Sequence, residues 1–170
     1  NACFVWGGAL GLAPVDDKII KIEKVANIDS TAQLLASILS KKISVGSKYI
    51  LIDIPFGKSA KVSRKHAEIL KQKFLNLGKK FNLKLLVILT DGSEPIGNGI
   101  GPALEIIDVI KVLKQKQGPK DLEDKSLFLA GKILELAKKS KPNQGIKLAK
   151  SILYSGKAFK KFEQIIHAQK

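Results

Sequence analysis

Ser37 and Lys41 stand four residues apart in a stretch with helical apolar spacing. That separation puts both on one side of a helix, where they can address a single ligand. The competing reading is an ordinary polar edge on an amphipathic helix. Asp29 directly precedes the same helix. As a cap it would satisfy a free backbone N–H. As a proton donor at neutral pH it would need its pKa raised by burial or by hydrogen bonding of the neutral acid. Lys61 follows a strand-breaking Pro55 by six residues and is, on pattern alone, a solvated helix-start residue. Asp16 and Asp17 read as turn or structural carboxylates.

Two further stretches invite a phosphate-binding reading, and the spacing rejects it in both. Gly57-Lys58-Ser59 resembles the end of a Walker A loop, but the glycine required five residues earlier is Ile52, inside a strand. The run Gly97, Gly99, Gly101 follows a strand and precedes a helix, yet Pro102 stands where a dinucleotide fingerprint needs its third glycine. Plain turn chemistry is the expectation for that loop. Neither a Gly-x-Ser-x-Gly elbow nor a paired-histidine motif occurs, and the only histidines, His66 and His167, lie far apart. A lone Cys3 builds neither a disulfide framework nor a zinc site, which suits a reducing cytoplasm, and no cofactor is implied.

The elements that must position these residues follow from periodicity. Residues 3–6 read as a short buried strand and residues 19–22 as a second one. Asp29-Ser30 starts a helix in which Leu34, Leu35, Ile38 and Leu39 recur, ending near Lys42. Residues 49–54 form an apolar, β-branched run expected to be buried on both faces of a parallel sheet and broken at Pro55. A lysine-rich amphipathic helix over about residues 63–80 has Ala67, Ile69, Leu70, Phe74 and Leu77 among its apolar members, and residues 85–89 form the next strand. The remainder reads as helices, from the glycine loop to Leu113 and over 122–138, 143–154 and 158–168. This order predicts an α/β fold, a parallel or mixed sheet with flanking helices.

With 170 residues, 45% hydrophobic and 26% charged, the chain has the balance of a soluble folded protein. No stretch approaches the roughly 18 apolar residues that suggest a membrane span. The net charge of +15 supports a basic nucleic-acid-binding module as an alternative. Against it, Arg64 is the sole arginine, and the lysines are scattered between acids along helices. A lysine-rich surface that attracts small anionic substrates fits better, so no nucleic acid and no membrane partner is expected. The absence of methionine and the opening directly into an apolar run read as an internal piece of a longer chain.

A family resemblance carries the reading further. Val5-Trp6-Gly7-Gly8-Ala9-Leu10 and Leu12-Ala13-Pro14-Val15-Asp16-Asp17 resemble a segment of archaeal AMP phosphorylases. Ala36-Ser37-Ile38-Leu39-Ser40-Lys41-Lys42 resembles a core shared with thymidine and pyrimidine-nucleoside phosphorylases. Residues 51–58, Thr90-Asp91-Gly92, Pro95-Ile96-Gly97, 101–105 and 155–158 continue in family order, so the likeness spans essentially the whole chain. Gly11, Val15 and Ser59-Ala60 depart from the family pattern, the last pair beside Lys61.

The resemblance implies a pentosyltransferase that phosphorolyses AMP, with CMP and UMP as alternatives, to free base and ribose 1,5-bisphosphate. It implies Asp29 as proton donor to the leaving base, Ser37 and Lys41 as base contacts and Lys61 as a further nucleotide contact. Glu105 matches a position near a cation site in some relatives, though a solvated helix-start glutamate is the plainer reading and no metal is assigned. The partners implied are a nucleoside monophosphate and inorganic phosphate, in a cytoplasmic homo-oligomer. Residues 14–43 would belong to a small all-α domain, with 1–13 and 44–170 in the α/β domain. The family's phosphate-binding loops precede this segment, so the chain alone is expected to be inactive. A thymidine or pyrimidine-nucleoside phosphorylase and a non-catalytic remnant are the rivals.

Overall fold

A computed structural model describes residues 3–4, 11, 13–28 and 30–169. The order is α1 (Pro14–Ala26), α2 (Thr31–Ser44), β1 (Tyr49–Phe56), α3 (Arg64–Lys80), β2 (Lys84–Asp91), α4 (Pro102–Leu113), α5 (Lys120–Leu136), α6 (Gly145–Tyr154) and α7 (Lys157–Ala168). It is an α/β arrangement, a two-stranded parallel sheet flanked by helices. Residues 5–10, and with them half of the expected first strand and the Trp6-Gly7-Gly8 string, lie outside the described residues, while Cys3 and Phe4, the other half, are exposed and form no strand. Asp29 also lies outside the described residues.

The expected strand over 19–22 is instead the middle of α1. Pro14 in the first turn supplies a helical φ, Asp16 and Asp17 sit near the positive end of the helix dipole, and Lys24 lies in the last turn. Asn27 ends the helix in the left-handed conformation, φ 52°, and its N–H bonds the Glu23 carbonyl. These end signals outweigh the β-branched Ile19-Ile20 pair that suggested a strand. Helix α2 begins where expected. Ser30 is its N-cap and accepts from the Gln33 N–H at 3.4 Å.

Strand β1 pairs with β2 from Tyr49↔Lys84 to Phe56↔Asp91. Pro55 does not break it: the register continues through Pro55↔Thr90. Among the described residues β1 has a free edge, and a proline with no N–H to donate is tolerated on such an edge. Nor is β1 equally buried on both faces. Ile50, Ile52 and Ile54 alternate into the core, while Leu51 and Asp53 on the other face are half-buried.

The main core joins Ile50, Ile52 and Ile54 to Val87 of β2, to Ala67, Leu70 and Phe74 of α3, and to Leu35 and Leu39 of α2. Helix α3 starts at its Ser63 cap, which accepts from the His66 N–H at 3.3 Å. Of the apolar members of α3, Ile69 is 46% exposed. Gly78 takes a buried place on the inward stripe instead. A second, smaller core gathers Val112, Leu127, Ala149 and Leu153 from α4, α5 and α6. Helices α5 and α6 approach closely at Gly131 and Gly145, where a Cβ on either would collide with the other helix.

Candidate functional site

Gln33, Ser37 and Lys41 follow one another at every fourth residue, so α2 presents them as one stripe. All three converge on Asp16 of α1, which is 7% exposed. Gln33 Nε2 donates to Asp16 Oδ1 at 2.8 Å. Ser37 Oγ donates to Asp16 Oδ2 at 2.8 Å, and Lys41 Nζ forms a short ion pair with the same oxygen. Lys41 also donates to Ser37 Oγ at 3.1 Å, and Asp17 Oδ1 lies 4.0 Å from its ammonium. Burial alone would raise the Asp16 carboxyl. The bond from Lys41, that from Ser37, the Lys41 charge and the Gln33 bond outweigh it and hold the carboxyl below its ordinary value.

Ser37 and Lys41 are therefore brought together, as their spacing predicted. Of the two readings of Asp16, turn or structural carboxylate, the second holds: it lies within α1 and is the acceptor on which the pair is assembled. A cleft of about 520 Å³ runs along the same seam, with Asp16, Gln33 and Ser40 among its polar lining residues and Val15, Ile19 and Ile43 among its apolar ones.

Lys61 belongs to a separate element. It is exposed in the loop between β1 and α3, two residues before the Ser63 cap rather than within the helix start. That loop is well anchored. Gly57 N–H donates to the Val62 carbonyl at 3.3 Å, Val62 is buried, and the Arg64 guanidinium sits 5.6 Å from the centre of the Phe56 ring. The loop leaves the carboxyl end of a parallel strand, the side on which α/β sheets commonly bind ligands.

At the same sheet end lies a polar group that the sequence reading did not single out. Thr90 Oγ1 donates to Asp53 Oδ1 at 2.7 Å, and Lys125 of α5 pairs with Asp53 Oδ2 at 3.1 Å. The hydroxyl and then the N–H of Ser93 hold the nearby Asp91 carboxyl below its ordinary value. The half-buried aspartate inside an apolar strand was the available signal.

The glycine loop carries no open phosphate cradle at the amides whose partners are identified. Asn98 and Gly99 N–H groups donate to Asp108 Oδ2 at 2.7 and 2.8 Å. Gly97 N–H donates to Asp121 and Gly101 N–H to Glu105, each at 3.0 Å. Asp108 is 4% exposed, and the Gly99 bond, followed by the Asn98 bond, keeps its carboxyl below the ordinary value. Glu105 thus closes the first turn of α4. Among the described residues no group of three or more His, Cys, Asp or Glu is placed to hold a metal ion, and no helix is long and apolar enough to cross a membrane.

No family model matches the sequence. Individual proteins do. The chain is 50% identical over 171 residues to a putative thymidine phosphorylase of Legionella pneumophila (strain Corby), an alignment covering 99% of this chain and 33% of that protein. It is 48% identical over 172 residues to putative thymidine phosphorylase 1 of Cupriavidus necator, covering 99% and 33%. An AMP phosphorylase of Methanococcus maripaludis (strain C5) is 47% identical over 171 residues, covering 99% and 34%. The chain thus spans about a third of the length of the curated relatives it matches. It is homologous to one segment of proteins carrying both names, and the likeness is not confined to the archaeal AMP phosphorylases.

Proposed function

We propose that the chain is a segment of a pentosyltransferase that phosphorolyses AMP, with CMP and UMP as further substrates, in the cytoplasm. The observation that carries this reading is near-half identity along 99% of the chain to phosphorylases of both names. The assembled Ser37–Lys41 pair supports it, because two groups predicted to face one ligand lie within 3.1 Å of each other.

In the reaction, the bond from C1′ to the base nitrogen breaks and a bond from C1′ to a phosphate oxygen forms. The base leaves with a proton, since an anionic purine is a poor leaving group. Asp29 supplies that proton, Ser37 and Lys41 hold the base, and Lys61 makes a separate contact to the nucleotide. The phosphate site is contributed from outside this chain. Residues 14–43 serve as a helical-domain segment, and 1–13 with 44–170 as α/β domain, in a protein that assembles as a homo-oligomer. Helix α2 suits a cleft wall. One of its sides carries the pair, while Leu35 and Leu39 enter the core with β1 and α3.

Phosphorolysis of thymidine or another pyrimidine nucleoside is the second reading, favoured by the 50% identity to a protein of that name. The residues 5–17 that resemble AMP phosphorylases favour the first. Assays of the full-length protein with phosphate and either AMP or thymidine separate the two. Turnover of AMP supports the first reading, and turnover of thymidine alone replaces it with the second.

A further inference from the structure

We infer that Asp16 is the positioning residue of the base-facing pair, fixing Ser37 as a hydrogen-bond acceptor and Lys41 as a donor towards the substrate. The inference rests on the proposed role of Ser37 and Lys41 and adds to it which atoms they have left to offer.

A serine hydroxyl has one donor and two acceptor positions. The Ser37 proton is committed to Asp16 Oδ2, and one lone pair accepts from Lys41. One lone pair remains. A lysine ammonium has three donors. One goes to Asp16 and one to Ser37, leaving one. The carboxylate cannot easily turn away, because Gln33 holds its other oxygen at 2.8 Å. The pair therefore presents one acceptor beside one donor. That is the complement of a planar ring edge on which an N–H adjoins a carbonyl or ring-nitrogen acceptor, as on a nucleobase. Were Asp16 neutral, Ser37 could turn its proton outward and present donor beside donor, which matches no such edge.

The test uses the full-length protein with AMP and thymidine as probes, measuring kcat and KM for wild type, Asp16→Asn and Gln33→Ala, and for Asp16→Asn in a Ser37→Ala/Lys41→Ala background. The expectation is that Asp16→Asn raises KM about tenfold with kcat changed less than threefold, the pattern of a lost binding contact. Gln33→Ala keeps the charge and frees only one carboxylate oxygen, so it raises KM about threefold, and it carries the test if Asp16→Asn fails to fold. In the background lacking the pair, Asp16→Asn changes KM less than twofold, because there is nothing left for it to position.

Unchanged KM in Asp16→Asn, or in Gln33→Ala should the first not fold, overturns the inference while wild-type turnover preserves the proposed function. An equal effect of Asp16→Asn with and without the pair overturns it too, since it marks a merely structural role. A wild type inert on both probes removes the proposed function, and the inference with it.

Discussion

Ser37 Oγ lies 2.8 Å from Oδ2 of Asp16, joining a side chain expected to face substrate to a buried carboxylate on the preceding helix. The bond crosses from α1 to α2, so one interaction both joins the two helices and holds the Ser37 side chain, for which a substrate contact is proposed. On the proposed role of Ser37, stability and binding are coupled there, and pH acts on both through the Asp16 carboxyl.

The sign of that pH dependence follows from the carboxyl. Asp16 is held below its ordinary value of about 3.9. Its contribution to stability is therefore complete above the unfolded value and is lost as pH falls through the lower folded one. Acid titration followed by circular dichroism is expected to show wild type losing stability below about pH 4, beyond what Asp16→Asn loses. Parallel loss in both proteins would mean that Asp16 makes no such contribution.

At the sheet end, Asp53 and Lys125 are 19% and 20% exposed, so removing either leaves the other partly buried and unpaired. Asp53→Ala is expected to cost about 1–3 kcal/mol in denaturant unfolding. Asp53→Ala with Lys125→Met should cost less than the sum of the two single changes, because neither charge is then stranded. Additive costs would show that the pair is not coupled.

The α5–α6 crossing depends on two glycines. A Cβ at Gly131 would stand 2.6 Å from the Ile146 nitrogen, and one at Gly145 would run into the Gly131 carbonyl. Backbone cannot move aside as a flexible side chain can. Gly145→Ala is expected to destabilise by about 1–3 kcal/mol, read from the urea midpoint. An unchanged midpoint would mean that the helices slide apart freely.

Lys61 stands exposed in the loop between β1 and α3, next to the buried Val62. In the full-length protein Lys61→Ala is expected to raise KM for AMP about tenfold, equivalent to one charge-assisted hydrogen bond. A KM equal to wild type would remove Lys61 from the substrate contacts.

The sequence was most informative where local signals agreed. Ser30 and Ser63 each lead a helix as a cap, and the pairing of 49–56 with 84–91 grew from two β-branched runs around a helical crossover. It misled where a local signal was overruled. Ile19-Ile20 looked like strand, but Pro14 and Asn27 bracket a helix whose apolar side needs those isoleucines. Pro55 looked like a terminator, although a free strand edge does not need its N–H. Spacing alone showed that Ser37 and Lys41 share a face. It could not show Asp16, because the contact joins residues 21 apart in sequence on two different helices and no period links them. The roles of these residues came from family likeness, which is why enzymatic tests bear on them more than structural ones.

The most direct measurement is product analysis of the full-length protein with AMP, with and without inorganic phosphate. Adenine and ribose 1,5-bisphosphate are expected in equal amounts, strictly dependent on phosphate, with turnover falling at least about a hundredfold in Asp29→Asn. Release of no base from AMP in the presence of phosphate, or release equally fast without it, would rule out AMP phosphorolysis by this protein.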